Sequence, residues 1–83
     1  MDEATVFDFL RTTFAAVFGR ADIQLHPNLS AADVVGWDSF RHVEIILALE
    51  AEYGIRIRAR EANAAANLGD LVALVVRKCH APT

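Results

Sequence analysis

The segment from Asp38 to Gly54 constrains the fold more than any other part of the chain. Asp38 is a residue type that caps helix starts, Ser39 to Tyr53 holds neither glycine nor proline, and Gly54 stands where a left-handed residue would end a helix. The spacing predicts a helix over 39–53 with firm ends. Phe40, Val43, Ile45, Ile46, Leu47, Leu49 and Tyr53 leave little of its circumference polar, so it is expected to be the most buried helix. Its narrow outer stripe is Arg41, Glu44, Ala48 and Glu52, the surface by which a partner would read it.

Two more helical stripes flank it. Val6, Phe7, Leu10, Phe14, Val17 and Phe18 recur at spacings of three and four, with Asp2 as the cap and Gly19 as the stop. Leu68, Leu71, Val72, Val75, Val76 and Cys79 form the other stripe, opened by Asn67-Leu68-Gly69-Asp70 as a variant capping box and closed by Arg77 and Lys78, which suit the helix dipole. Ala59 to Ala66 predicts a helix of about two turns, too short to stand without packing. Ile55-Arg56-Ile57-Arg58 alternates as a strand would, but no other segment does, so it reads as an extended connector with both isoleucines turned inward. Residues 20–37 have no period and are punctuated by Pro27, Asn28, Ser30 and Gly36. A loop of about 18 residues is unusual in a compact domain, and Ile23, Leu25 and Leu29 are its expected anchors. The fold class is therefore all-α: one domain over 1–83, a small four-helix bundle with a long loop between helices 1 and 2 and a short third helix.

Size narrows the function. A chain of 83 residues and 9.1 kDa buries only about 60% of its unfolded surface, which leaves little room for an enclosed substrate pocket beside a core. An enzyme is not expected. With 11 acidic and 8 basic residues the net charge is −3, against the basic balance of a nucleic-acid binder. No apolar run approaches the roughly 20 residues of a membrane span, and Met1-Asp2-Glu3 is acidic where a signal peptide would be basic, so a cytoplasmic location is expected. A monomer is also expected. Cys79 has no second cysteine to pair with and continues an apolar stripe, as a small buried hydrophobe does.

Chemistry is concentrated where the long loop meets the second helix. At the start of that helix, free backbone N–H groups and the dipole favour an anion, so a phosphate joined to the Ser39 hydroxyl would be welcome. The residues also fit a plainer reading, in which Ser39 is a second polar residue at a helix start.

Gly36-Trp37-Asp38-Ser39-Phe40, with Val43-Glu44-Ile45-Ile46-Leu47-Ala48-Leu49-Glu50 and Tyr53-Gly54-Ile55, resembles the acyl carrier proteins. Their mark is an Asp-Ser-Leu triplet opening a helix that ends in Phe-Gly-Ile, and the Asn67-to-Asp70 start resembles the family's Thr-Val-Gly-Asp. The resemblance implies that a separate phosphopantetheinyl transferase attaches 4′-phosphopantetheine from coenzyme A to Ser39. The arm's thiol would then hold acyl groups as thioesters for acyl-loading and acyl-processing enzymes. Asp38 would help present Ser39 to the transferase while also capping the helix, and Trp37, Phe40, Arg41, Glu44, Ala48 and Glu52 would face partners.

Departures from the family pattern bear on the pathway. Phe40 replaces the usual leucine, Trp37 precedes the aspartate, and Arg41 and His42 stand where fatty-acid carriers tend to be acidic or neutral. Charge is polarised: residues 1–53 hold nine acids and three bases, a net of −6, and residues 54–83 hold two acids and five bases, a net of +3. A discrete carrier of polyketide or other specialised metabolism is expected rather than one of primary fatty-acid synthesis, with Arg41 repelling the basic patches of fatty-acid enzymes. An aminoacyl or peptidyl carrier and an unmodified helical binding module are the alternatives.

Other chemistry is poorly supported by the sequence. Gly-Trp-Asp-Ser-Phe lacks the Gly-x-Ser-x-Gly elbow of a nucleophilic serine. His26, His42 and His80 lack metal-ligand spacing and read as surface or loop histidines, so no metal site is expected. Trp37 reads as a packing anchor that could also touch the arm, and Arg56, Arg58 and Arg60 as a solvated basic patch.

Overall fold

A computed structural model describes residues 2–20 and 22–80. Helix α1 spans Glu3–Phe18, a 3-10 turn Ala31–Asp33, α2 Ser39–Tyr53, α3 Ala59–Ala64 and α4 Leu68–His80. Among the described residues there is no strand, and Ile55 to Arg58 runs as the expected connector, with Ile57 buried and Ile55 half-buried.

Helix ends follow local chemistry. The Asp2 carboxylate accepts the Thr5 N–H at 3.0 Å and Gly19 takes φ 66°, bounding α1. Gly54, at φ 63°, ends α2 and donates its N–H to the Glu50 carbonyl. At the start of α4, Asn67 Oδ1 accepts the Asp70 N–H at 2.9 Å, and the Asp70 carboxylate reaches back to the Ala66 N–H at 3.0 Å. The box therefore closes one residue further back than a standard one, which returns to the cap residue itself.

Helix α1 packs against both α2 and α4. Val6, Leu10 and Phe14 of α1, Ile45 and Leu49 of α2, and Leu68, Leu71, Val72 and Val75 of α4 are essentially inaccessible to solvent. Full burial of each such side chain is worth about 1.5–3 kcal/mol, so this three-helix contact dominates the stability.

Helix α2 is not the most buried helix. It buries Ile45, Ile46 and Leu49, whereas α4 buries Leu68, Leu71, Val72, Leu74 and Val75. Phe40, Val43 and Leu47 are 73%, 54% and 57% exposed. So short a chain lacks the material to cover α2 on both sides, and an apolar circumference does not ensure burial. The outer face of α2 is correspondingly apolar: Glu52 is exposed, but Arg41, Glu44 and Ala48 are half-buried at its margins.

The long loop is tightly packed. Leu29 and Val34 enter the core, and Ile23 and Leu25 pack against it half-buried. Two loop carbonyls cap α4: Leu29 accepts the Leu68 N–H at 2.7 Å and Pro27 the Gly69 N–H at 2.8 Å. A Cβ on Gly69 would lie 2.9 Å from the Pro27 oxygen, so only glycine allows this approach. Short α3 is held from both sides. Glu61 accepts the Arg58 N–H at 3.0 Å and pairs with Lys78 of α4 at 3.0 Å, while Ala62 is buried.

Candidate functional site

The first turn of α2 is built on two anchors to α1. Trp37 stacks edge-on against Phe14, with centroids 5.2 Å apart, and against Phe18 at 6.5 Å. The Arg41 guanidinium donates to the Val17 carbonyl at 2.9 Å and lies over the Phe18 ring, 5.8 Å from its centroid. A cation at a helix C-terminus meets the negative end of the dipole. The charge expected to point at partners is therefore largely engaged within the fold.

Between these anchors Asp38 caps the helix. Its backbone is extended, its carboxylate accepts the Arg41 N–H at 2.9 Å, and its carbonyl accepts the His42 N–H at 2.9 Å. Ser39 follows as the first helical residue and is exposed. Among the described residues the Ser39 and Phe40 N–H groups have no hydrogen-bond partner. The hydroxyl thus sits beside two free amide donors at the positive end of a fifteen-residue helix, a setting suited to a phosphodiester anion.

An open groove of about 660 Å³ adjoins Ser39 and runs toward α3. Small side chains, Ala59, Ala62 and Ala65, make one wall, and His42, Val43 and Asn63 contribute further lining. Its size is within the range of small-molecule sites. An exposed hydroxyl, free amides and an adjoining groove fit an arm joined through phosphate.

The structure gathers Trp37, Asp38, Ser39, Phe40 and Arg41 at one end of α2, with Glu44 next along the helix and Ala48 and Glu52 toward the other end. Trp37 is the packing anchor expected. His42 is not a surface histidine: it is half-buried, and its Nδ1 accepts the Trp37 Nε1–H at 3.2 Å. Sequence reading missed this pair because its spacing of five straddles the cap, where helical periodicity does not apply. The small-residue composition of Ala59 to Ala66 was visible, but nothing local placed it opposite Ser39.

These features define a small helical bundle that presents an accessible hydroxyl beside a groove. The family model described as the phosphopantetheine attachment site matches residues 8–75. The solution NMR structure of holo acyl carrier protein from Geobacter metallireducens is similar, with a TM-score of 0.79 and 34% identity over 92% of this chain and 93% of that one. Comparison with curated proteins by sequence gives no match. The chain belongs to the acyl carrier protein family. It is a carrier rather than an enzyme, and its covalent cofactor, phosphopantetheine, supplies the thiol that holds acyl groups as thioesters. Carriers of this kind work with modifying and processing enzymes. No helix of the described residues is long and apolar enough to cross a membrane.

Proposed function

We propose that Ser39 is the attachment point, that Asp38 presents it to a phosphopantetheinyl transferase, and that the chain is a discrete, cytoplasmic, single-domain monomeric carrier serving polyketide or other specialised synthesis. The observation that carries the assignment of Ser39 is its exposed hydroxyl at the first position of α2, beside two unpaired amides. Ser30, the other serine, is half-buried and donates its hydroxyl to Asp33 at 3.2 Å. Co-expression with a broad-specificity transferase, followed by intact mass and peptide mapping, should give one phosphopantetheine, at Ser39. Modification at Ser30, or none with several transferases, would reject the assignment and leave an unmodified binding module.

The outer face of α2 supports the specialised pathway. Phe40, Val43 and Leu47 are its exposed large apolar residues, flanked by half-buried Glu44 and Arg41, with Trp37 at its start and Ala48 and Glu52 further along. Partners are read mainly through apolar contact, and basic patches on fatty-acid enzymes find few carboxylates there. The loaded protein should be elongated poorly by fatty-acid synthase enzymes, with weak dependence on salt. Elongation as efficient as that of a fatty-acid carrier would reject the pathway assignment. Asp38 directly before Ser39 favours an acyl over an aminoacyl or peptidyl cargo, and loading with acyl- and aminoacyl-activating enzymes separates the two.

A further inference from the structure

The Trp37–His42 pair is not needed to hold the bundle together, since Trp37 already stacks on Phe14 and Phe18. What the hydrogen bond adds is a fixed tautomer. An indole N–H can only donate, so the Nδ1 of His42 must offer its lone pair, and the proton of the neutral ring resides on Nε2. That nitrogen has no hydrogen-bond partner among the described residues. Among the described residues no buried side-chain nitrogen or oxygen lacks a partner, so Nε2 is accessible to solvent. His42 lines the groove that begins at Ser39, and it lies three residues further along α2. Residues at that spacing share a face, with Cβ atoms about 5–6 Å apart.

We infer that His42 is a binding residue for the phosphopantetheine arm, donating its Nε2–H to an acceptor oxygen of the pantoyl unit and laying the arm in the groove between α2 and α3. Trp37 is the positioning residue that keeps His42 a donor on that side. The pantoyl unit is the part of the arm next to the phosphate, so it is the part within reach of a side chain one turn from the attachment point. Asn63 supplies a second polar group across the groove, and the alanines of α3 leave room for the arm's methyl groups. The inference rests on attachment at Ser39.

NMR of the full chain before and after phosphopantetheinylation tests this directly. Long-range ¹⁵N–¹H correlations should show the Nε2–H tautomer in both forms. In the modified form the Nε2 resonance should move, and cross-peaks should join the His42 ring to the geminal methyls of the arm. His42→Asn keeps an acceptor for Trp37 but leaves no donor at the Nε2 position, so the cross-peaks to residue 42 should vanish and the arm resonances should move to those of free phosphopantetheine, with the indole N–H retained. His42→Gln returns an N–H at the Nε2 position and should recover part of the arm's shift. An Nδ1–H tautomer, or arm resonances identical in the unsubstituted protein and His42→Asn, overturns the role of His42. Failure of Ser39 to be modified at all, visible first in the mass spectrum, would instead overturn the attachment reading on which it rests.

Discussion

The starts of α2 and α4 use the same local chemistry to opposite ends. Each has a polar cap whose side chain accepts an N–H three residues on, Asp38 from Arg41 and Asn67 from Asp70. At α4 the first two amides, of Leu68 and Gly69, are taken by the Leu29 and Pro27 carbonyls, and the approach is too close for a Cβ. At α2 the corresponding amides, of Ser39 and Phe40, have no partner among the described residues. At α4 another stretch of backbone covers the helix start and makes it a structural joint, whereas at α2 none does, as the proposed attachment at Ser39 requires. The cap residue alone does not distinguish the two.

The largest separation between the two starts should come from Ser39→Ala. Loading with phosphopantetheine should be lost completely in the mass spectrum, while the thermal midpoint moves by no more than the equivalent of about 0.5 kcal/mol, as for an exposed surface substitution. A large fall in midpoint would make α2 a joint as well. Gly69→Ala should show the converse: about 1–3 kcal/mol of stability lost in urea titration through overpacking against Pro27, with the folded fraction still fully modified at Ser39. Asp38→Ala and Asn67→Ala sharpen the contrast, because each removes one cap and should cost about 1 kcal/mol, yet only Asp38→Ala should slow the transferase. Equal transferase rates for the two variants would show that the cap does nothing for presentation.

The smallest effect is expected at Glu61, which ties the far side of α3 to α4. The backbone N–H of Arg58, then Lys78, holds its carboxyl below the usual range. A carboxyl depressed in the folded state adds stability at neutral pH that is lost as pH falls through the acid range. Glu61→Gln should therefore lower the midpoint slightly at pH 7, with the difference from the unsubstituted protein vanishing under acid conditions. A difference that is constant with pH would mean that the side chain acts by packing rather than by charge.

What the sequence revealed and what it concealed divide along the same line. Asp2, Gly19, Asp38, Gly54 and Asn67 mark helix ends because capping and left-handed termination are decided within a few residues. The Ser39 position was legible for that reason, and a family motif surrounds it. Coverage is decided elsewhere in the chain. Phe40, Val43 and Leu47 carry the same hydrophobic signal as Ile45 and Leu49, and only the positions of α1 and α4 separate the two sets. Arg41 was expected to face outward as a charge on a helix surface, because no local rule anticipates a carbonyl at the end of α1 as its partner. The loop's grip on α4 is made of backbone groups, which every residue has. Its only imprint on the sequence is the glycine at 69.

That grip also has a temporal side. The Leu29 and Pro27 carbonyls meet amides far along the chain, so the contact can form only after the loop between them has closed, an entropic cost that helix formation does not bear. The clasp should be among the late events of folding and among the early ones of opening. The Leu68 and Gly69 amides would then exchange with deuterium on a timescale set by release of the loop rather than by unwinding of α4, which makes two amide signals a clock for the movement of residues 27–29.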